Sequence, residues 1–501
     1  MIPGQDATAA VRKAAYAILI ALAAGNMLGR LIAVNSVSRI DAEKQAIGRR
    51  IESLKKQLST QGHSAKAVAT KLAKALPTIE AEERRQTPFL SANDRSRWLA
   101  MRALVEQGTF AIDGVVDLRT WNTIDMVQHR GRNGKLHLYS SKPPLLSTLL
   151  AGLYWLVKAA TGWTLADHPY AVGRLMLAVV NVIPMIALLA LVACWAERLG
   201  SGDFGRLFVV AAAAFGTLLS PFAVVLSNHL IGACAAAATL EAVLRITVNG
   251  DARLRWYALA GAAAAFTAAD ELPALSLLAA VGLGLWRYDR RAWLRGFLPA
   301  ALAIVVAFFA TNYAAHDSLR PPYAHRSETD PVDNWYKYTY TIDGETRQSY
   351  WLAPQGIDRG EPSKSRYAFH MLLGHHGVFS LTPMWLLSVW GAWLWFRSGD
   401  RARREIALGT AGISLACIVF YALLRPQADR NYGGMTCGFR WLLWLAPLWL
   451  ALMLPAAERI ARSHAGRCMA LILLAASVLS ASFPTWNPWI HPWLWNVWEA
   501  G

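Results

Sequence analysis

The sequence predicts an all-α polytopic membrane protein with about 11 transmembrane helices, interfacial helices and loops on the outer face. Of its 501 residues, 55% are hydrophobic and 17% are charged, whereas a soluble domain carries about 25% charged residues. Long apolar runs alternate with short arginine clusters, a pattern typical of a chain that crosses a bilayer repeatedly. The 22 tryptophans agree with this class, because indole rings favour the membrane–water interface.

The net charge of +17 does not indicate a nucleic-acid partner. The arginines are concentrated in short linkers between the apolar runs, as they are in the cytoplasmic loops of membrane proteins. We therefore expect membrane lipid, and no nucleic acid, to be a partner of this chain.

Eleven apolar runs are predicted to span the bilayer, because a helix needs about 20 residues to cross the hydrocarbon core. They lie at approximately 14–34, 172–195, 206–224, 226–246, 257–271, 273–286, 295–314, 378–396, 406–424, 441–457 and 467–483. A further run at 143–161 is equally apolar, so the surrounding charges must decide whether it crosses.

Arginine clusters between the spans decide the orientation, because positively charged loops stay in the cytoplasm. With Arg12 and Lys13 inside, every later cluster is cytoplasmic only if 143–161 does not cross. We therefore predict a helix in the outer interface that begins at Pro143-Pro144, where a missing N–H is harmless. The prediction is a multi-pass protein of the cytoplasmic (inner) membrane with a cytoplasmic N-terminus.

This threading divides the chain into segments and puts the polar ones on the outer face. They are a first transmembrane helix (1–34), an extracytoplasmic helical insertion (35–90), a first outer loop with interfacial helices (91–171), a transmembrane core (172–314), an extracytoplasmic loop rich in aromatic residues and His (315–377), C-terminal transmembrane helices (378–483) and a Trp-rich interfacial tail (484–501). The turns at Asn228-His229 and Asp270-Glu271 and the 425–440 loop fall on that same face. We therefore expect the chemistry there.

Residues 39–85 form a separable part of the first outer loop. Apolar residues recur there at helical spacing, with lysine and arginine on the other face, and Gln61-Gly62-His63 interrupts the pattern. This predicts a helical hairpin or short coiled coil outside the membrane. A solvated structural insertion and a partner-binding element are both compatible with the pattern.

Two polar groups of the first outer loop are candidates for chemistry. Asp94 follows Ser91 at the start of an apolar stripe with helical spacing, so it is either a partner of the helix N-terminus or a reactive carboxylate. Lys142 precedes Pro143-Pro144 at another helix start. A lysine there attracts anions, or extends to lipid headgroups.

The motifs that contain these residues resemble those of a known family. They are Asn93-Asp94-Arg95-Ser96-Arg97-Trp98-Leu99-Ala100, Tyr139-Ser140-Ser141-Lys142-Pro143-Pro144-Leu145-Leu146, Gly173-Arg174-Leu175, Tyr432-Gly433-Gly434 and Gly438-Phe439-Arg440-Trp441-Leu442. In this order they resemble the GT-C membrane glycosyltransferases, especially the bacterial aminoarabinose and mannosyl transferases and the protein O-mannosyltransferases.

The resemblance implies an inverting transferase that uses a polyprenyl-phosphate-linked sugar at the outer face. Asp94 would be the catalytic general base that deprotonates an acceptor hydroxyl. Lys142 and Arg440 would contact the lipid phosphate, and Arg97 is assigned with them to the donor site. The acceptor remains open between a glycan, a lipid and a protein.

The chain departs from this family's pattern at three places, one of which is Asp270-Glu271, where relatives often have a Lys-Gly pair. The 39–85 insertion separates the first span from the acid, and Asn228-His229 stands where a second acid is common. Glu271 or Asp270 could substitute for that acid, so Glu271, Asp270 and His229 are candidates for a second acid or an acceptor site.

The 315–377 loop carries many Tyr, Trp and His residues, which could stack on sugars or pack on the membrane surface. His370, His375 and His376 could hold a divalent metal, but their spacing is not that of a zinc site. We therefore assign no cofactor from the sequence, leave a divalent metal open as the less favoured alternative, and name no metal ligands.

Two other functions remain open from the sequence. A transporter or flippase of lipid-linked sugars is the first alternative, although paired repeats and charges inside the spans are not evident. A non-catalytic membrane protein that binds a partner through the 39–85 hairpin is the second.

Overall fold

The computed structural model describes residues 3–34, 36–38, 40–84 and 86–499. The N-terminal part consists of α1 (Pro3–Ala33), β1 (Ser36–Ser38), α2 (Ile40–Thr60), α3 (Ala65–Glu83), β2 (Gln86–Pro88), α4 (Ala92–Arg102, continued as a π-helix over Ala103–Gln107), β3 (Met126–Arg130), β4 (Leu136–Ser140) and α5 (Pro144–Thr161). Residues 39 and 85, the two ends of the predicted insertion, lie outside the described residues.

The predicted helical hairpin is present as α2 and α3. Strands β1 and β2 pair in antiparallel register, with Ser36 opposite Pro88 and Ser38 opposite Gln86. The hairpin therefore leaves and re-enters the protein through one narrow two-stranded ribbon. Gly62 has a φ of +78° in the turn between the helices, a conformation that glycine adopts without steric cost.

The middle of the chain is a bundle of helices. Its elements are α6 (Pro169–Leu177), α7 (Ile183–Leu199), α8 (Asp203–Ala211), α9 (Asn228–Thr247), α10 (Leu254–Asp270), α11 (Leu275–Tyr288), α12 (Arg290–Ala292) and α13 (Leu298–His316). Two π-helical turns, Ala178–Val182 and Trp293–Phe297, join α6 to α7 and α12 to α13.

The C-terminal part adds one small strand pair and the remaining helices. Its elements are β5 (Thr339–Ile342), β6 (Glu345–Gln348), α14 (Lys364–Leu372), α15 (Val378–Leu381), α16 (Trp385–Phe396), α17 (Arg401–Val419, continued as a π-helix to Leu424), α18 (Ala446–Ile460), α19 (His464–Ser482) and α20 (Trp493–Glu499). A 3₁₀ segment, Arg440–Leu445, leads directly into α18.

The predicted class, an all-α polytopic membrane protein, is confirmed. By length and composition, eight helices of the described chain could cross a membrane: Thr8–Ala33, Pro144–Thr161, Pro169–Leu199, Asn228–Thr247, Arg290–His316, Arg401–Leu424, Arg440–Ile460 and His464–Ser482. Two shorter apolar helices, Leu272–Tyr288 and Trp385–Phe396, match predicted spans.

The remaining apolar runs of the sequence take different forms in the structure. The run at 257–271 is α10, a helix of 17 residues. The run at 206–224 is not one helix, because α8 and its π-helical turn end at Gly216, and a 3₁₀ turn occupies Ser220–Val224. The run at 143–161 is helical, as predicted, and is also long enough to cross, so its interfacial position stays a prediction.

Small residues allow the bundle helices to approach closely. A Cβ atom added to Gly391 of α16 would lie 1.7 Å from the carbonyl oxygen of Leu452 in α18. Likewise, a Cβ atom on Gly261 of α10 would lie 2.2 Å from the carbonyl oxygen of Phe297. Such contacts are typical of helices that pack inside membranes, where close backbone approach replaces the hydrophobic effect as a driving force.

Helix α9 runs between two polar regions of the protein. Its first residues, Asn228 and His229, face a large cavity. Towards its other end, Glu241 binds Arg198 at 3.0 Å and Arg245 at 2.6 Å. The bundle therefore has a cavity at one end and ion-paired arginines at the other.

Candidate functional site

The main cavity has a volume of about 650 Å³ and opens to solvent. It is lined by all the polar segments that the sequence analysis assigned to one face: the first outer loop, the turns at Asn228-His229 and Asp270-Glu271, the 315–377 loop and the 425–440 loop. Six of the seven residues predicted for the site line this cavity, namely Arg97, Lys142, His229, Asp270, Glu271 and Arg440.

Lys142 forms an ion pair with a carboxylate that the sequence analysis did not single out. Its Nζ atom lies 3.1 Å from Oδ1 of Asp125, and both side chains are largely buried. Burial lowers the pKa of Lys142 to about 8; Asp125 opposes this shift, while Arg97 and Arg440 add to it. Burial also disfavours the charge of Asp125, but Lys142 and the two arginines keep its pKa below the ordinary value.

Arg97 is held by two neutral amides. Its guanidinium donates to Oδ1 of Asn93 at 2.7 Å and to Oδ1 of Asn228 at 2.6 Å. Asn93 lies one helical turn earlier in α4, and Asn228 begins α9. The Arg97 side chain is nearly buried, since only 5% of the residue is exposed. Arg97 therefore brings a positive charge into the cavity wall without an ion-pair partner among the described residues.

A hydrogen-bonded chain continues from Asn228 to Arg440. Asn228 Nδ2 donates to Glu271 Oε1 at 2.8 Å, and His229 Nδ1 lies 2.5 Å from the same oxygen. The other imidazole nitrogen, Nε2, lies 3.0 Å from Nη1 of Arg440. Because arginine can only donate, Nε2 must accept, and the proton of a neutral His229 is on Nδ1.

Arg440 also has no ion-pair partner in the described part of the chain. Its Nε atom donates to the Gly433 carbonyl at 2.8 Å, and its guanidinium lies over the ring of Trp489, 4.9 Å from the centroid. Gly433 has a φ of +97°, which lets the loop turn back over the arginine. The carbonyl, the imidazole and the indole face position the charge without neutralising it.

Asp94, the predicted base, lies behind the cavity wall. It is 1% exposed, and its Oδ1 atom accepts hydrogen bonds from the Trp98 indole at 2.8 Å and from the Leu226 backbone N–H at 2.9 Å. Ser91 caps the helix by accepting from the Asp94 N–H. Burial raises the pKa of Asp94 to about 6, against the effect of these hydrogen bonds.

The aromatic 315–377 loop covers the first outer loop. Tyr338 Oη donates to the Met126 carbonyl at 3.1 Å, and Trp351 Nε1 donates to the Ile124 carbonyl at 3.0 Å. Arg326 lies over the ring of Tyr336, 4.0 Å from its centroid. Tyr336 and Trp351 line the cavity, so these rings do not simply pack on the membrane surface.

Several lining residues were not singled out from the sequence, among them Asp125, Arg326 and Trp489. Asp125 precedes β3 in a loop without a motif. Trp489 belongs to the tail that was predicted as an interfacial anchor, yet it is 6% exposed, whereas Trp486 is 58% exposed. No sequence pattern distinguishes the buried Trp489 from the exposed Trp486.

The three histidines considered as metal ligands lie outside this cavity. The imidazoles of His370 and His375 are stacked at 3.9 Å, and His375 is hydrogen-bonded to His376 at 2.5 Å. Across the residues that the structure describes, no group of three or more His, Cys, Asp or Glu side chains is arranged to hold a metal ion.

No family model matches the chain, and no curated protein does either. Among solved structures, it is similar to the apo form of the oligosaccharyltransferase of Archaeoglobus fulgidus, with 12% sequence identity and a TM-score of 0.39. The match covers 80% of this chain and 53% of that structure, so the chain spans about half the length of the protein it matches. A likeness of this degree assigns neither family nor activity.

Proposed function

We propose that the protein is an integral membrane glycosyltransferase of the GT-C type. It moves a sugar from a polyprenyl-phosphate donor to an acceptor hydroxyl at the outer face of the cytoplasmic membrane. The polyprenyl chain stays in the lipid, the phosphate binds in the cavity, and the acceptor enters from solvent. The acceptor is a glycan, a lipid or a protein.

The observation that carries this proposal is a pair of guanidiniums in the cavity wall, Arg97 and Arg440, that form no direct ion pair with any described residue. Arg97 and Arg440 are hydrogen-bonded to neutral groups. Asp125 and Glu271 stabilise both charges from a distance, but largely buried charges without a direct ion pair are costly, and an anion between them would remove part of that cost. Guanidinium groups bind phosphate oxygens in a fork, and Lys142 adds a third cation near them.

The proposed reaction is a single displacement with inversion. The acceptor oxygen forms a bond to the anomeric carbon as the bond from that carbon to the phosphate oxygen breaks. Polyprenyl phosphate leaves with the bonding electrons, and Asp94, which lies behind the cavity wall in this structure, takes the acceptor proton once the bound acceptor contacts its carboxylate. A pKa of about 6 suits this role, because Asp94 is then mostly ionised near pH 7 and still basic enough to accept a proton.

Asp125 and Glu271 are the alternative bases, because both line the cavity. Asp125 is engaged by Lys142 and has a lowered pKa, which weakens it as a base. Glu271 already accepts hydrogen bonds from Asn228 and His229. We therefore assign these two carboxylates to positioning the cations and Asp94 to proton transfer.

The first experiment measures binding of a C15 isoprenyl phosphate to the purified full-length protein in nanodiscs. We expect Arg97→Gln and Arg440→Gln each to weaken binding about tenfold or more, as for a lost charge-assisted contact. Arg401→Gln is the control, because Arg401 is 80% exposed and pairs only within its helix. A wild-type protein that does not bind the phosphate would refute the proposed donor class.

The second experiment assigns the base by transfer from radiolabelled polyprenyl-phosphate sugars to membrane fractions. Asp94→Asn should abolish transfer and leave isoprenyl phosphate binding intact, because asparagine can still accept from Trp98 and Leu226. Asp125→Asn should keep some transfer. Full transfer by Asp94→Asn, with none by Asp125→Asn, would move the role of base to Asp125.

A further inference from the structure

The C-terminal tail after α19 contributes one side chain to the main cavity. Trp489 lines the cavity and is 6% exposed, whereas Trp486 and Trp498 are 58% and 51% exposed. The Trp489 ring lies against the Arg440 guanidinium. One tryptophan of the tail is therefore in the site, and these two neighbours are on the surface.

Hydrogen bonds to its backbone carbonyls hold the tail at this position. The Cys437 N–H donates to the Pro488 carbonyl at 2.9 Å, which joins the tail to the loop that carries Arg440. Arg30, near the end of α1, donates from Nε to the Thr485 carbonyl at 2.5 Å. These two hydrogen bonds hold the tail just before Trp489. Pro488, the residue before Trp489, contacts the loop that carries Arg440.

The contacts around Trp489 close into a ring of four side chains. Trp489 packs edge-on against Phe222 at 5.5 Å, and Phe222 packs edge-on against His229 at 5.4 Å. His229 accepts from Arg440, and Arg440 lies over Trp489. Removing the indole opens this ring at the face of the guanidinium.

We propose that Trp489 is a positioning residue for the donor phosphate. Its indole face holds the Arg440 guanidinium by a cation–π contact, which keeps the charge in place and leaves it available to a phosphate oxygen. This inference rests on the proposed function, since it assumes a phosphate-bearing lipid in the cavity. It assigns the tail after α19 to the substrate site.

The test compares an isoprenyl phosphate with the uncharged isoprenol of the same C15 chain, using the full-length protein in nanodiscs. We expect Trp489→Leu to weaken phosphate binding about tenfold, the size of a desolvated cation–π contact, and to leave isoprenol binding unchanged. Trp489→Phe keeps an aromatic face and should restore most of the affinity. Trp486→Leu and Trp498→Leu are the matched controls and should bind as the wild type does.

A second measurement links the effect to Arg440. In the Arg440→Gln background, Trp489→Leu should weaken phosphate binding no further, because the charge that it positions is gone. Should Trp489→Leu fail to fold, Trp489→Met is the non-aromatic comparison, since methionine fills irregular gaps.

The outcomes separate this inference from the proposed function. If the wild type binds no isoprenyl phosphate, the proposed function fails. If the wild type binds it and Trp489→Leu binds it equally well, the inference fails alone. Equal losses of phosphate and isoprenol affinity would also overturn the inference, since Trp489 would then only fill space in the wall.

Discussion

Lys142 binds a carboxylate of the protein, Asp125, that a donor phosphate could replace. Its ammonium is paired with Asp125 at 3.1 Å, and Arg97 and Arg440 both lower its pKa through their own charges. A phosphate that binds these cations would compete with the Asp125 carboxylate for Lys142. Until the donor binds, the ion pair with Asp125 helps to keep Lys142 charged, although Arg97 and Arg440 lie near it.

Phosphate binding should therefore depend on pH through Lys142. The ammonium is present below its pKa of about 8 and is lost as the pH rises through that value, while the phosphate is already ionised. We expect affinity for a C15 isoprenyl phosphate to fall about tenfold between pH 7 and pH 9. Titration by calorimetry in nanodiscs would measure it.

Two variants test this assignment in opposite directions. Lys142→Arg keeps its charge at pH 9, so its affinity should stay constant over the range. Asp125→Asn removes the group that raises the pKa of Lys142, so the loss of affinity should begin at lower pH. Equal pH profiles in all three proteins would exclude Lys142 as the titrating group.

At the scale of single residues, the sequence identified which side chains belong to the site better than it identified the side chains that they contact. Lys142, Arg97 and Arg440 were found because they lie in motifs, and all three line one cavity. Asp125 lies in a loop without regular spacing, so its approach to Lys142 depends on tertiary structure. Glu271 was a candidate to replace the acid missing at Asn228-His229, and its carboxylate contacts both of those side chains.

Among the elements, α5 lies beside the polar helix α4. Ser96 near the start of α4 is 2.7 Å from Ser140, just before α5. Beyond α4, Glu106 accepts from Tyr154 of α5 at 2.6 Å. The two helices therefore run side by side in one direction. Since α4 is too polar to cross a bilayer, this arrangement supports the prediction that α5 lies in the interface.

Cysteine labelling can decide whether α5 crosses. In a cysteine-free background, Trp163→Cys, just after α5, should react with a membrane-impermeant maleimide from the same side as Glu328→Cys in the aromatic loop. Gly399→Cys, between α16 and α17, is predicted to be protected on the other side. Protection of Trp163→Cys together with Gly399→Cys would mean that α5 crosses.

The α2–α3 hairpin is an element that the sequence located well but did not explain. Its helices pack mainly on each other, with Leu58 and Val68 buried between them. The pairing of Ser38 with Gln86 closes the ribbon below the hairpin. Helical periodicity was enough to predict this unit, because its core is local in sequence.

Removing the hairpin should leave the site intact. We expect a protein with residues 39–85 replaced by Asn-Gly, a two-residue turn suited to antiparallel strands, to insert and to bind isoprenyl phosphate as the wild type does. Binding and size-exclusion profiles would measure this. A flexible ten-residue linker in place of the turn is the control for strand register. Loss of binding in a folded protein would make the hairpin part of the site.

In the whole molecule, ion pairs fasten the end opposite the cavity. Arg12 of α1 contacts Glu197 at 2.5 Å and Asp203 at 2.6 Å, and Tyr16 donates to Glu197 at 2.7 Å. These groups join α1, α7 and α8. The arginine clusters that predicted the orientation therefore include members with a structural role, which composition alone did not reveal.

Arg12→Gln should destabilise the bundle without affecting the cavity. Glu197 and Asp203 are 29% and 53% exposed and also lie 3.9 and 4.0 Å from Arg206. Loss of Arg12 should therefore cost about 1 kcal/mol and lower the melting temperature. Arg401→Gln removes an exposed pair and should change it little. Melting curves in detergent and isoprenyl phosphate binding below the transition would measure both effects. Unchanged melting of Arg12→Gln would contradict this role.

The sequence predicted the class and the shared face of the polar segments, because hydropathy and charge report on the surroundings of each segment. It did not predict the break after Gly216 or the burial of Trp489. Both depend on contacts with distant parts of the chain, such as the Cys437–Pro488 hydrogen bond, and such contacts leave no periodic pattern.

The two-stranded ribbon beneath the α2–α3 hairpin has a practical consequence for imaging. A membrane protein of this size offers little mass outside the detergent micelle by which particles can be aligned in electron cryomicroscopy. Because β1 and β2 fix where the chain leaves and returns, a larger rigid helical module could be grafted onto the same two strands. The ribbon is therefore a suitable attachment site for a rigid protein module that serves as a fiducial marker.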